Sequence, residues 1–554
     1  MSSPTAVHPA ADRVDALATR KDQWVRWGLE DRIGLLRACA KGIQAVADGW
    51  VTAACRAKGL DPRSSVAGEE WLAGPMATVR NIRLLIESLR AGGRPTPREI
   101  STRSDGHVVA RVFPAGRMDA VLYRGITADV WFAPGAEPSQ GRIYRDNPEP
   151  GKVALVLGAG NVASIGPMDV FYKLFAENEV VLLKTHPVNA YLEPFFKRAF
   201  APLIDAGVLA IVHGNAALGH DLCHHERVDT VHLTGSVHTH EAIVWGEDAD
   251  ERVRRKAAND PVLDKPITSE LGCVTPVLVA PGPWSDADLA FQARNVAAMV
   301  ANNASFNCNA AKVLVTARDW PQRDAFLAAV RGALGRVPAR RAYYPGAQER
   351  YQAFCEHYPA ATPLIETDTD AVPWTIIPDV PPTAGEYALT HEAFCGVLAD
   401  VALNGADAST FLDHAVDFAN ETVWGTLSCM MLVHPSTERE HAEAIDRAIA
   451  ALRYGSIGVN LWSGVMYALG VTPWGAFPGH PLTDVRSGRG VVHNTMLFDH
   501  PQKCVARAPF RIRPKPAWFA DHRTLDALGR RLTRLEAAPT WWRLPGIFAT
   551  ALRA

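Results

Sequence analysis

The stretch "NNASFNCNAAKVLV", residues 302–315, sets a cysteine between two asparagines. A free cysteine is by default a small buried hydrophobe, and eight of the nine in this chain are read that way. Cys308 differs because a helix-like run gives way to a strand-like one at its position. Backbone N–H groups at such a junction can lower a thiol's pKa and receive an oxyanion. In "ITSELGCVTPVLV", 38 residues upstream, Glu270 interrupts an apolar, strand-forming stretch. A buried carboxylate needs a partner or a raised pKa. A raised pKa would suit a general base acting on water; the plainer reading is a satisfied structural carboxylate. Cys273 is the second thiol of this region, but it sits inside the strand pattern.

The elements that must position these residues show in the periodicities. Residues 12–95 read as helices, with Ile33, Leu36, Ile43 and Val46 on one face. Three segments in 107–145, "HVVARVFPA", "MDAVLYRG" and "ADVWFAPG", read as strands. From residue 151 strands and helices alternate, which implies a parallel sheet covered on both faces. Open sheets of this kind bind ligands at their strand ends. Here those ends are "LGAGN", "LLKTHP", "VHG" with Gly214, and "LTGS" with Gly235 and Ser236. Small residues let backbone approach a phosphate, and a hydroxyl at a helix N-terminus suits a pyrophosphate. Each turn taken alone could equally be an ordinary connection, and no GxGxxG is present. A second alternating block runs from about 270 to 465.

The 554 residues allow two or more domains. A formal charge of -2 provides no field for nucleic acid. Nine cysteines without CxxC pairs speak against a disulfide framework and a structural zinc site. No metal is expected. The first sixteen residues lack a basic start and an apolar core, so a cytoplasmic chain without a signal peptide is expected. Residues 501–554 are distinct, with 11 Lys and Arg against 3 Asp and Glu. They read as a basic helix, a break at Trp541-Trp542 and a short apolar end. Peripheral contact with an anionic membrane, or an arm packed on the protein's own surface or a neighbouring subunit, would both account for them.

Seven motifs in order, "GAGN" with Asn161, "VVLLKTHP" with Lys184, "LTGS", "ELGC" with Glu270, Cys308, "HEAFCGV" and "PWGAFPG", resemble the aldehyde dehydrogenase superfamily over about residues 20–503. The resemblance implies roles residue by residue. Cys308 matches the nucleophile, Glu270 the general base and Asn161 the amide that helps hold the oxyanion. Lys184, Gly235, Ser236, Glu392 and Phe394 match cofactor-binding positions, and Gly214 is added from the strand ends. Asn460 and the "PWGAFPG" segment with Trp474 and Phe477 line up with the substrate wall, to which the aromatic Phe306 and Trp462 are added. The cofactor implied is NAD or NADP. Pro187 stands where an acidic residue usually grips the ribose 2′-hydroxyl, which weakens discrimination against NADP. His240 and Cys273 stand where glycines are common.

The fold expected is α/β and aldehyde-dehydrogenase-like, with two parallel-sheet domains and a small β oligomerisation arm. Residues 1–118 give the N-terminal part of the cofactor domain, 119–146 the arm and 147–268 the cofactor domain proper. Residues 269–465 form the catalytic domain, 466–503 a return segment with an arm strand near 489–500, and 504–554 the basic extension. The function expected is NAD(P)-dependent oxidation of an apolar or aromatic aldehyde to a carboxylic acid by a homodimer or homotetramer. A CoA-acylating enzyme and a catalytically silent binding or structural relative are the alternatives.

Overall fold

The computed structural model describes residues 9–145, 150–368, 370–405 and 407–554. The first eight residues, read above for a signal peptide, and the arm-to-domain junction at 146–147 lie outside the described residues. Among the described residues no helix is long and apolar enough to cross a membrane.

Two sheets organise the described residues. The first has six strands in the order Gly488–Arg489, Ile267–Glu270, Thr230–Thr234, Val153–Leu157, Val180–Thr185 and Leu209–His213. Every neighbouring pair is parallel except the first. Strands covered on both faces need apolar side chains on both, and "VALVL" and "VVLLKT" are buried throughout. Even Lys184 is buried, at the strand end where its amine reaches a cleft. The helix Leu29–Ala57 packs its Ile33, Leu36, Ile43 and Val46 face into this core.

The second sheet has eleven strands. Its centre is parallel, with Thr275–Val279 between Ala311–Ala317 and Ser428–Leu432. The strand Lys503–Arg507 runs parallel beside Ser456–Val459 and antiparallel beside Thr127–Phe132. Thr127–Phe132 pairs in turn with Val108–Phe113, and that strand with the edge strand Glu99–Thr102. The arm is therefore continuous with the catalytic sheet of its own chain. Its long C-terminal partner strand lies at 503–507. The stretch 489–500 touches the arm more briefly, through an antiparallel bridge between Gln140 and Phe498, and Gly488–Arg489 closes the cofactor sheet.

The segment "MDAVLYRG", expected as a strand, contains the helix Arg117–Leu122. Tertiary contacts override its β-like composition. Met118 and Leu122, one turn apart, face the apolar cluster of the C-terminal extension. Asp119 takes both guanidinium nitrogens of the buried Arg80, at 3.1 and 3.2 Å.

The extension packs on the protein's own surface. Its helix Leu525–Ala537 buries Leu525, Leu528, Leu532 and Leu535. Gly68 and Gly529 let this helix meet the helix Ala67–Trp71, since a Cβ at either would collide with Leu525 or Trp71. Glu536 accepts from Arg80 at 2.6 Å and from Arg83 at 2.8 Å, forming a buried ion cluster. Trp541 and Trp542 remain exposed at the turn beyond.

Candidate active site

Cys308 lies on the turn between the helix Asp286–Ala301 and the strand Ala311–Ala317. Before it comes an unexpected piece of backbone. Asn303, Ala304 and Ser305 all have positive φ, at 51, 55 and 70°. Consecutive left-handed non-glycine residues cost roughly 1–2 kcal/mol each, so surrounding contacts must hold them. Asn303 Oδ1 accepts from the buried Lys58 Nζ at 3.0 Å, and Asn303 N donates to Glu69 at 3.0 Å. Lys58 is itself paired with Glu70 at 2.8 Å. Beyond Ser305, Lys312 Nζ donates to the Ser305 hydroxyl at 2.8 Å and to the Cys395 carbonyl at 3.0 Å. The strain thus sits immediately upstream of the thiol and is held from both sides.

Glu270 ends its strand with the side chain buried against Cys308, with which it shares a hydrogen bond. The indole N–H of Trp474 donates to Glu270 Oε1 at 3.2 Å. Burial pushes the Glu270 carboxyl up to about 8; Cys308 and Trp474 pull it down, and the carboxylate of Asp169 raises it further. Burial, then the neighbouring Glu270, also push the Cys308 thiol up. The two groups face each other as a proton donor and acceptor pair. Asp169 is fully buried, which raises its pKa, but His232 and His493 overcome this and bring it to about 2. It is held by Thr234 Oγ1 at 3.0 Å and His493 Nε2 at 3.2 Å. A fixed negative charge therefore stands behind Glu270.

Asn161 is buried beside the thiol, and its Nδ2 donates to the Phe306 carbonyl at 3.0 Å. That bond uses one of the two Nδ2 hydrogens and fixes the direction of the amide.

Two cavities meet at this point. Asn161, Thr234, Glu270 and Cys308 line both. One, of about 970 Å³, follows the C-terminal ends of the six-stranded sheet and includes Lys184, Gly235, Ser236, Glu392 and Phe394. Ser236 caps the helix Val237–Trp245 by accepting from Thr239 N at 3.1 Å. Glu392 presses its carboxylate on Gly272, where no Cβ would fit. Its Oε1 is buried without a hydrogen-bond partner, and burial raises its pKa to about 7. An orphaned acceptor in a cleft over helix N-termini fits a ligand that brings hydroxyl donors and phosphates, as a dinucleotide does. Pro187 and His186 line the same cleft, and His186 stacks on Tyr344 at 5.9 Å.

The other cavity, of about 770 Å³, leads away from Cys308 on the opposite side. Trp462, Trp474, Tyr467, Asp169 and His493 line its inner part.

Four expected site residues lie elsewhere. Gly214 is outside the cleft, which there runs over Ala216 and Gly219; Gly214 instead gives room to Leu218. Phe306 is buried on the cofactor side among Tyr343, Tyr344 and Phe394, away from the second cavity. Asn460 spends its amide on the Val433 backbone, at 2.8 and 3.1 Å, and supports a turn. Phe477 does not line the second cavity; its backbone N–H pairs with Thr426. Cys273, the other candidate thiol, is fully buried and reaches neither cavity. His240 is buried and neutral, its pKa lowered to about 4 by burial, and lines neither cavity.

Comparison with known proteins bears on the same residues. Residues 161–342 match the model of the aldehyde dehydrogenase family, a segment that holds Asn161, Glu270 and Cys308. No curated protein sequence matches the chain. Among solved structures, an NADP-dependent glyceraldehyde-3-phosphate dehydrogenase from Bacillus halodurans, complexed with NADP, shares 16% identity with a TM-score of 0.60, over 89% of this chain and 90% of that one. A mutant aldehyde dehydrogenase from Pseudomonas syringae, complexed with NAD+ and octanal, shares 17% with a TM-score of 0.58, over 91% and 89%. A gamma-glutamyl-gamma-aminobutyraldehyde dehydrogenase from Burkholderia cenocepacia shares 19% with a TM-score of 0.60, over 91% and 90%. The segment that matches the aldehyde dehydrogenase family carries the thiol, carboxylate and amide, and along about nine tenths of its length the chain shares its fold with these solved dehydrogenases.

Proposed function

We propose that this protein oxidises an apolar aldehyde to a carboxylic acid, with NAD or NADP as electron acceptor and water as acyl acceptor. The observation that carries the reading is the meeting of two cavities at Cys308, Glu270 and Asn161. One cavity suits a dinucleotide and the other a largely apolar substrate, so two reactants approach the thiol from opposite sides. The structures with NADP and with NAD+ and octanal support the same pairing of ligands by analogy.

The chemistry follows from the residues. Glu270 takes the proton of Cys308, and the thiolate sulfur bonds to the aldehyde carbon to give a hemithioacetal. The oxyanion is held by the second N–H of the Asn161 amide and by backbone N–H of the cysteine turn. A donor of this kind is worth about 2.7–4 kcal/mol. A nicotinamide held in the first cavity would supply the hydride acceptor that turns the hemithioacetal on Cys308 into a thioester. Glu270, once it has passed the cysteine proton to solvent, removes a proton from water, which attacks the thioester carbon. The C–S bond breaks, the acid leaves, and the proton held by Glu270 returns to the Cys308 sulfur. Glu392 and Lys184 hold the cofactor's ribose hydroxyls in this reading. Pro187 supplies no carboxylate against a 2′-phosphate, so both cofactors are accepted. The exposed edge strand Glu99–Thr102 provides the pairing surface for a homodimer or homotetramer.

Product analysis by mass spectrometry tests the reading. Purified protein is incubated with medium-chain and aromatic aldehydes and NAD or NADP, with and without CoA. Free acid formed without CoA supports it. Acyl-CoA formed only when CoA is present moves the protein to the acylating branch, and no product with any aldehyde makes it a silent relative.

A further inference from the structure

The C-terminal extension, with no counterpart among the recognised motifs, forms part of the substrate cavity. Leu528 and Leu532 from its first helix, and Ile547, Phe548 and Ala551 from the helix Leu544–Ala551, line the same 770 Å³ space as Cys308. The polar groups of that space gather at the thiol end: Glu270, Asn161 and Asp169. Toward the extension the lining is aliphatic and aromatic. Of the charged residues on the rim, Glu69 and Lys515 are paired with Arg340 and Asp521, while Arg124 and Arg513 are exposed to solvent.

This wall is built into the fold. Glu536 locks its first helix to Arg80 and Arg83, and Gly68 and Gly529 bring two helices into backbone contact. The second helix packs on the first through Leu544 and Ile547. An aldehyde of two or three carbons seated at Cys308 would not reach these residues. A long apolar chain, with only its aldehyde group to satisfy, would bury its far end against them.

We propose that the C-terminal extension is the substrate-length gauge of this enzyme: Leu528, Leu532, Ile547, Phe548 and Ala551 receive the far end of a long-chain apolar aldehyde whose carbonyl lies at Cys308. This rests on the oxidation reading above, and the experiment separates the two. Values of kcat/KM are measured for straight-chain aldehydes from propanal to dodecanal in the full chain and in the variants Ala551→Trp and Phe548→Ala. Unchanged thermal midpoints and circular dichroism spectra establish that the variants fold. The wild type is expected to prefer the longer aldehydes. Ala551→Trp fills the space, and the decanal-to-propanal ratio of kcat/KM is expected to fall about tenfold or more. Phe548→Ala enlarges it, and the optimum is expected to move to a longer chain. Ratios unchanged in both variants would overturn the proposal while leaving aldehyde oxidation intact. Should the wild type oxidise no aldehyde, the oxidation reading falls, and calorimetry with decanoic acid decides the gauge separately. Binding weakened by Ala551→Trp supports it, and binding equal in wild type and variant overturns it.

Discussion

Glu270 and Cys308 face each other in a buried site, where the carboxylate pushes the thiol's pKa up while the hydrogen bond from the thiol pulls the carboxyl's down. The carboxyl, pushed to about 8 chiefly by burial, is protonated below that pH and a competent base above it. Hydrolysis of the thioester is therefore expected to rise with pH through a limb near 8 and then level off, measured as steady-state kcat at saturating aldehyde. A profile flat from pH 6 to 9 would contradict this assignment. Trp474 positions the carboxylate through its N–H, an interaction that lowers the Glu270 pKa. Trp474→Phe keeps the ring and removes the donor, so the limb is expected to move to higher pH; a limb that stayed in place would deny Trp474 that role. Cys308 and Glu270 were legible in the sequence because a thiol at a helix-to-strand turn and a carboxylate in an apolar strand are each anomalous. Trp474 was visible only as an aromatic residue near the site, since its partner lies 204 residues away.

At the scale of elements, the alternation of strand and helix was readable because the central strands Val153–Leu157 and Val180–Thr185 are short apolar runs. The left-handed turn Asn303–Ser305 was not, because nothing in "NAS" requires positive φ. It is imposed by Lys58, Glu69 and Lys312, which come from other elements. The helix at 117–122 was hidden for the same reason, since its partner Arg80 and the apolar cluster it faces are distant in sequence. Phe306, Asn460 and Phe477, which lie outside the second cavity, have one thing in common: an aromatic or amide residue near a motif gives no indication of the side to which it points. Lys58→Met leaves Glu70 buried without its cation and frees the Asn303 side chain. Breaking a buried pair from one side costs about 3–5 kcal/mol. Thermal unfolding is expected to show a clear loss of stability. Alkylation of Cys308 by iodoacetamide is expected to change in rate, because the turn before it is released. Unchanged alkylation would mean that Lys58 supports only the fold.

Over the whole molecule, the extension joins parts that the sequence presented as separate. Its leucines complete an amphipathic helix whose apolar face is spent on the protein itself, so the arm reading of residues 504–554 accounts for it. Its basic composition concealed this, because the contact that matters is made by the acidic Glu536. Glu536→Ala leaves Arg80 with the Asp119 carboxylate and the Leu469 carbonyl and removes the main acceptor of Arg83. A loss of roughly 3 kcal/mol is expected, together with a larger fall in turnover of long aldehydes than of propanal. Equal falls for both would place Glu536 in stability alone.

The central claim is that Cys308 carries the acyl group and Glu270 directs water to release it. The most direct measurement is peptide mass spectrometry of the Glu270→Gln variant after a single turnover with octanal and NAD or NADP. The account predicts an octanoyl group retained on the peptide containing Cys308, and its absence from the wild type treated in the same way. An acyl group on Cys273 or another residue, or none at all while the nicotinamide is reduced, would contradict it.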